Sequence, residues 1–204
     1  MTRWFNTAGP CQDDIHYMVS PTSRLPDLKQ LIEQRRYFVI HAPRQTGKTT
    51  AMLALAAELT SSGCYTAVMV SVEVGAPYSH DPSAADLPII DSWWTSARFD
   101  LPSDLHPPEQ WNEGQPGRRI QAALQAWAQV TKRPLVLFID EVDSLQDEAL
   151  ISLLRQLRDG YRGRPKNFPW SVGLIGLRDV RDYKVASGGS VREASLKRVA
   201  VLQS

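Results

Sequence analysis

Two short stretches carry residue types and spacings that point to chemistry. In the first, Tyr37-Phe38-Val39-Ile40 is apolar and β-favouring and predicts a buried strand. The chain then turns through Ala42-Pro43-Arg44-Gln45-Thr46-Gly47, and Lys48-Thr49-Thr50 opens a helix. A strand, a tight loop and Gly-Lys-Thr at a helix start form the phosphate-cradling P-loop, or Walker A, pattern, here residues 42–49. Backbone N–H groups of the loop and the positive end of the helix dipole suit an anion. Ala42, Pro43, Arg44, Gln45, Thr46, Gly47, Lys48, Thr49 and Thr50 are therefore the expected nucleotide-binding residues. Lys48 would reach the β- and γ-phosphates, and the Thr49 hydroxyl would hold Mg²⁺. Ala42 stands where the pattern usually has glycine. Alanine fits there with negative φ and fails if positive φ is required.

The second stretch is Leu135-Val136-Leu137-Phe138-Ile139-Asp140-Glu141, an apolar run ending in two acids, the Walker B pattern at 135–141. Asp140 would serve the metal, through water, and Glu141 would polarise the attacking water. Phosphoryl transfer is mostly positioning and charge neutralisation, so two carboxylates with divided roles suit it. Strands often end in acids, so this pattern is weak alone; with a P-loop on the same sheet edge it becomes specific.

Both stretches need elements to hold them. Leu25, Leu28, Leu31 and Ile32 recur at helical spacing and predict a helix over about 24–36. Another follows the P-loop to Ser61, with Gly63 beyond its end. The β-rich run 65–74 reads as a strand buried on both faces. Residues 75–116 hold seven prolines and read as an insertion on the core, with a helix near 83–99. Its Trp93-Trp94 pair reads as core packing, or else as a partner-binding face. Helices are predicted over 118–130 and 145–159, with Gly160 just past the second, and a strand over 170–177. Strands alternating with helices imply a parallel sheet, with both motifs at the carboxyl ends of its strands.

Composition excludes several classes. The 204 residues suffice for one domain with a real core, at 43% apolar and 22% charged. Net charge is +1, so nucleic acid is not indicated, though a local patch would allow it. Cys11 and Cys64 frame neither a disulfide scaffold nor a zinc site, and the four histidines show no metal spacing. The first residues lack a signal-peptide pattern and no apolar run reaches membrane-spanning length, so a cytoplasmic location without membrane contact is expected. No Asn-Lys-x-Asp base-reading motif is present, which disfavours a GTPase.

Pro43 to Thr49, Phe138-Ile139-Asp140-Glu141 and Gly176-Leu177-Arg178-Asp179 together resemble bacterial AAA-like ATPases of the archaeal-ATPase-like branch of P-loop NTPases. The resemblance covers about residues 1–188. It implies an α/β fold: a three-layer P-loop NTPase core with a mostly parallel sheet and helices on both faces. The Walker B strand should lie between the P-loop strand and its further neighbours. It also implies a polar sensor after the next strand, for which Arg178 is the nearest residue; pairing with Asp179 or Asp182 is the other reading. Relatives continue into a further strand and a helical lid, both expected to be missing here. The 189–204 tail is expected to be irregular or weakly helical, as in a truncated product.

Two functions fit these residues. One is ATP hydrolysis, with Mg²⁺, driving a conformational switch through Lys48, Glu141 and Arg178. The other is a nucleotide-binding module with little or no turnover, given Ala42 and the absent lid. The basic cluster Arg155, Arg158, Arg162, Arg164 and Lys166 reads as a solvated helix end, or as a contact for nucleic acid or a neighbouring subunit. A homo-oligomer or protein partner fits either function.

Overall fold

The computed structural model describes residues 26–41, 47–111, 113–176 and 196–199. Helix α1 (Pro26–Glu33) leads into β1 (Tyr37–His41), and α2 (Lys48–Ser61) into β2 (Thr66–Ser71). Next come α3 (Pro82–Asp100) and α4 (Arg119–Val130), then β3 (Leu135–Asp140). The described chain closes with α5 (Asp147–Gly160), β4 (Ser171–Gly176) and β5 (Leu196–Val199).

The strands form one sheet in the order β2-β3-β4-β1-β5, with every neighbouring pair parallel. The β3 strand lies between β1 and β2 as expected, with β4 next to it on the β1 side. Alternate residues of β1 to β4 feed two cores. On one face Phe38, Ile40, Met69 and Phe138 pack with Leu28 and Ile32 of α1 and Met52 and Leu55 of α2. On the other, Val39, Val70, Leu137 and Leu174 pack with α3, α4 and α5. This two-sided burial explains why the strands read as unbroken apolar runs.

The stretch read as an insertion contains α3, and α3 packs in the core. Asp81 caps it by accepting from the Ser83 and Ala84 amides at 3.0 and 3.1 Å, and Pro82 occupies its first turn. Trp93 is fully buried in the α3–α5 core, and Trp94 packs half-buried against it. Asp86 shares that inward face and is 2% exposed. Its carboxylate accepts from the Gly117 amide and from Gln156 Nε2 of α5, each at 3.1 Å. Gln156 in turn accepts from the Gln121 amide at the start of α4. A small polar network thus ties three helices together, and burial raises the Asp86 pKa above the usual carboxylate range.

Of the 189–204 tail, expected to be irregular or weakly helical, Leu196–Val199 is described, and it pairs in parallel with Tyr37–Ile40 as β5. The gain is in the backbone: β1 would otherwise present an open row of N–H and C=O groups. Four residues are too short a run for a clear periodic signal. Gly160 was expected to stop α5. It lies within the helix at φ −68°, and a 3-10 turn, Tyr161–Gly163, follows. Glycine is required there by close approach: a Cβ would stand 2.2 Å from the buried Phe168 ring.

Candidate functional site

The end of β3 and the start of α2 bring Thr49 and Asp140 together. Gly47 precedes α2 with φ 78° and ψ 17°, in the left-handed region. A side chain there would be strained although no atom blocks it, so glycine is demanded by conformation. The Gly47 carbonyl accepts from the Ala51 amide at 2.9 Å, closing the first turn of the helix. Lys48, Thr49 and Thr50 follow, each half-buried.

Asp140 ends β3 and is 8% exposed. Thr49 Oγ1 donates to Asp140 Oδ2 at 3.0 Å across 91 positions of sequence. The other oxygen, Oδ1, accepts from the Glu141 amide at 2.9 Å. Both carboxylate oxygens are therefore engaged and the side chain is held fixed. Glu141 itself sits at φ 56° and ψ 34°, left-handed backbone that a non-glycine residue adopts at a cost of about 1–3 kcal/mol. The strand is turned out of the sheet at this residue, and a 3-10 turn, Val142–Ser144, leads toward α5.

The adjoining strand end is tied to the same place. Ser71 of β2 stands opposite Asp140 in register, and the Val72 amide donates to the Asp140 carbonyl at 3.3 Å. On the other flank β4 ends at Gly176, opposite His41 of β1. Of the expected site residues, Ala42 to Thr46 and Arg178 lie outside the described residues, as do residues 1–25. Asp179 and Asp182 do as well.

Residues 30–183 match the family model of an AAA domain. The chain belongs to that family. No curated protein matches it. An AAA domain is a P-loop NTPase module, so the parallel α/β core above is that of a nucleotide-binding protein. Within this AAA domain, Gly47-Lys48-Thr49 opens α2 and Asp140 ends β3. No described helix is long and apolar enough to cross a membrane.

The other residues singled out by sequence sort more clearly. Arg155, Arg158, Arg162 and Lys166 lie at the surface around the end of α5, each exposed or half-buried. Arg164 is different: its guanidinium lies 3.3 Å from the Tyr161 ring centre and 5.0 Å from that of Tyr37, and it donates to the Arg35 and Tyr161 carbonyls. It staples the amino ends of the strands, away from the motif edge. His106 bonds to the Leu101 carbonyl at 2.9 Å. His80 meets Asp147 and Glu148 at 3.4 and 3.5 Å in an exposed contact at the start of α5. Sequence reasoning passed over Asp86 and the hydrogen bonding of Trp93. The signal for Asp86 was available: positions 86, 89, 90, 93 and 97 share one helical face, and an acid within it must find buried donors.

Proposed function

We propose that the chain is an ATPase whose turnover drives a conformational switch, with Mg²⁺ as its metal. The observation that carries this is the 3.0 Å hydrogen bond between Thr49 and Asp140. A hydroxyl and a carboxylate from separate elements, held together at the mouth of the site, supply hard oxygen donors that suit Mg²⁺.

In this reading Thr49 and Asp140 hold the metal, and Lys48 neutralises the β- and γ-phosphates. When bound there, the metal would offset charge developing on the phosphates. Glu141 is the general base. It is exposed and comes directly after the fixed Asp140, and its backbone strain marks a conformation retained for a role. The Glu141 amide bond to Asp140 Oδ1 couples the two residues, so the base keeps its place relative to the metal-holding group. Ala42 to Thr46 would wrap the phosphates, and Arg178 would sense the γ-phosphate. Residues 1–188 would work as one unit carrying 75–116 as an elaboration. Self-association or a protein partner, and a cytoplasmic setting, belong to the same reading.

The deciding experiment compares wild type with Glu141→Gln and Lys48→Ala in ATP binding and single-turnover hydrolysis. The expected result is binding without turnover for Glu141→Gln, a loss on the order of 10²–10⁴ in rate. Lys48→Ala should lose binding. Unchanged turnover in Glu141→Gln would remove the assigned base. Binding without measurable turnover in wild type would leave a nucleotide-binding module.

A further inference from the structure

Trp93 lies in the proline-rich stretch that sequence sets apart from the nucleotide core, yet it is bonded to the strand end beside Asp140. The last rung between β2 and β3 is Val72 N–H to the Asp140 carbonyl. In a planar trans peptide the C=O and N–H point in opposite directions. The Ser71 carbonyl, in the same peptide unit as the Val72 amide, therefore points away from β3. That is the outer edge of the sheet, where β2 has no strand neighbour among the described residues. Trp93 Nε1 donates to this carbonyl at 2.8 Å, and the indole is fully buried.

The two bonds differ in quality. The inner one, at 3.3 Å, is longer than the usual range for such bonds, and the outer one, at 2.8 Å, is short. The peptide unit abreast of Asp140 is thus gripped more firmly by the inserted helix than by the sheet. Ser71 Oγ adds a local tie by accepting from the Glu73 amide at 3.1 Å. From Trp93 the connection runs through Ser71–Val72 to the Asp140 backbone, and from the Asp140 carboxylate to Thr49.

We infer that Trp93 is a positioning residue for the nucleotide edge, holding the 71–72 peptide so that Asp140 keeps its alignment with Thr49. The inference rests on the proposed metal-holding role of Asp140. It makes α3 a lever on the site, so that a displacement of this helix is felt at the metal-holding carboxylate.

A matched control exists within the same core. Trp127 is also fully buried and also donates its indole N–H to a backbone carbonyl, that of Leu105, at 3.0 Å. Leu105 lies in a 3-10 turn and makes no rung with β3. Trp93→Phe and Trp127→Phe remove the same group and leave similar voids, but only the first touches the Asp140 rung.

Amide hydrogen exchange at Val72 is read first, in the free protein. Trp93→Phe should speed it by about tenfold, and Trp127→Phe should leave it within about twofold of wild type. Trp93→Phe should also raise the Mg²⁺ needed for half-maximal ATP binding several-fold while leaving Mg²⁺-free ATP binding unchanged. Equal acceleration of Val72 exchange in both variants, or none in Trp93→Phe, would overturn the inference. A wild type that binds no nucleotide would defeat the ATPase reading instead, and Val72 exchange would still decide whether Trp93 holds the strand end.

Discussion

Thr49 and Asp140 meet at 3.0 Å although α2 follows β1, and β1 is separated from β3 in the sheet by β4. The first turn of α2 therefore reaches across β4 to the end of β3. Hydrogen bonds to charged groups are worth about 1.5–3 kcal/mol, so the loss of this one hydroxyl is large enough to measure.

Thr49→Ala should weaken Mg²⁺-dependent ATP binding by about tenfold or more, as the loss of about 1.4 kcal/mol or more implies. Thr49→Ser keeps the hydroxyl and should stay near wild type. Calorimetric titration with and without Mg²⁺ checks this. Equal weakening in both conditions would show that the hydroxyl serves folding and not the metal.

Glycine at an ordinary position inside a helix or strand lowers stability by about 0.5–1 kcal/mol. Position 141 is different, because its φ of 56° already favours glycine. Glu141→Gly should therefore melt at or above the wild-type temperature while losing turnover. A melting temperature well below wild type would contradict the strain assigned to this residue.

Asp86 governs a pH response. Burial raises its pKa in the folded state, so the native protein holds the proton more tightly than the unfolded chain does. Its contribution is fully present below the unfolded value and is lost as pH rises through the folded value. Asp86→Asn removes this titration but leaves an N–H group facing one of the two donors, at a cost of about 1–3 kcal/mol. The gap in stability between wild type and Asp86→Asn should be largest at low pH and narrow as pH rises. Denaturant melts of both proteins across pH test this; a gap that widens with pH would reverse the sign.

Gly160→Ala is a favourable change in most helices, by about 1 kcal/mol. Here the added methyl would enter the Phe168 ring, so overpacking should outweigh it and leave the protein about 1–2 kcal/mol less stable. Pairing it with Phe168→Leu should recover part of the loss. A stabilised Gly160→Ala would mean that the ring shifts freely.

Legibility in the sequence followed locality. Strands buried on two faces announce themselves as unbroken apolar runs, and the helix start at Lys48 and the strand end at Asp140 were placed by short stretches whose members are close in sequence. Residues whose meaning comes from a distant partner were not legible. Gly160 read as a helix stop because Phe168 could not be seen beside it. Asp86 stood out as an acid on an apolar helical face, but its donors, Gly117 and Gln156, could not be named from there. Trp93 read as bulk because the target of its indole lies 22 positions earlier, on another element. The β5 strand pairs along the edge of β1 through its backbone, which four residues of sequence do not announce.

The strand order carries a consequence for how the protein is made. The β1 strand pairs with neither of the next two strands to be synthesised; its partners are β4 and β5, the last two described. On a growing chain, β2 and β3 can zip together as soon as both exist, while β1 waits beside them with nothing to join. Only when Ser171–Gly176 slots between β3 and β1 do the two motif-bearing strand ends come to share one edge. Until that late insertion is complete, the nascent protein has no assembled site, and closures over such long separations are slow. Ribosome-stalled chains ending before and after β4 would therefore differ in a single step: the appearance of nucleotide binding.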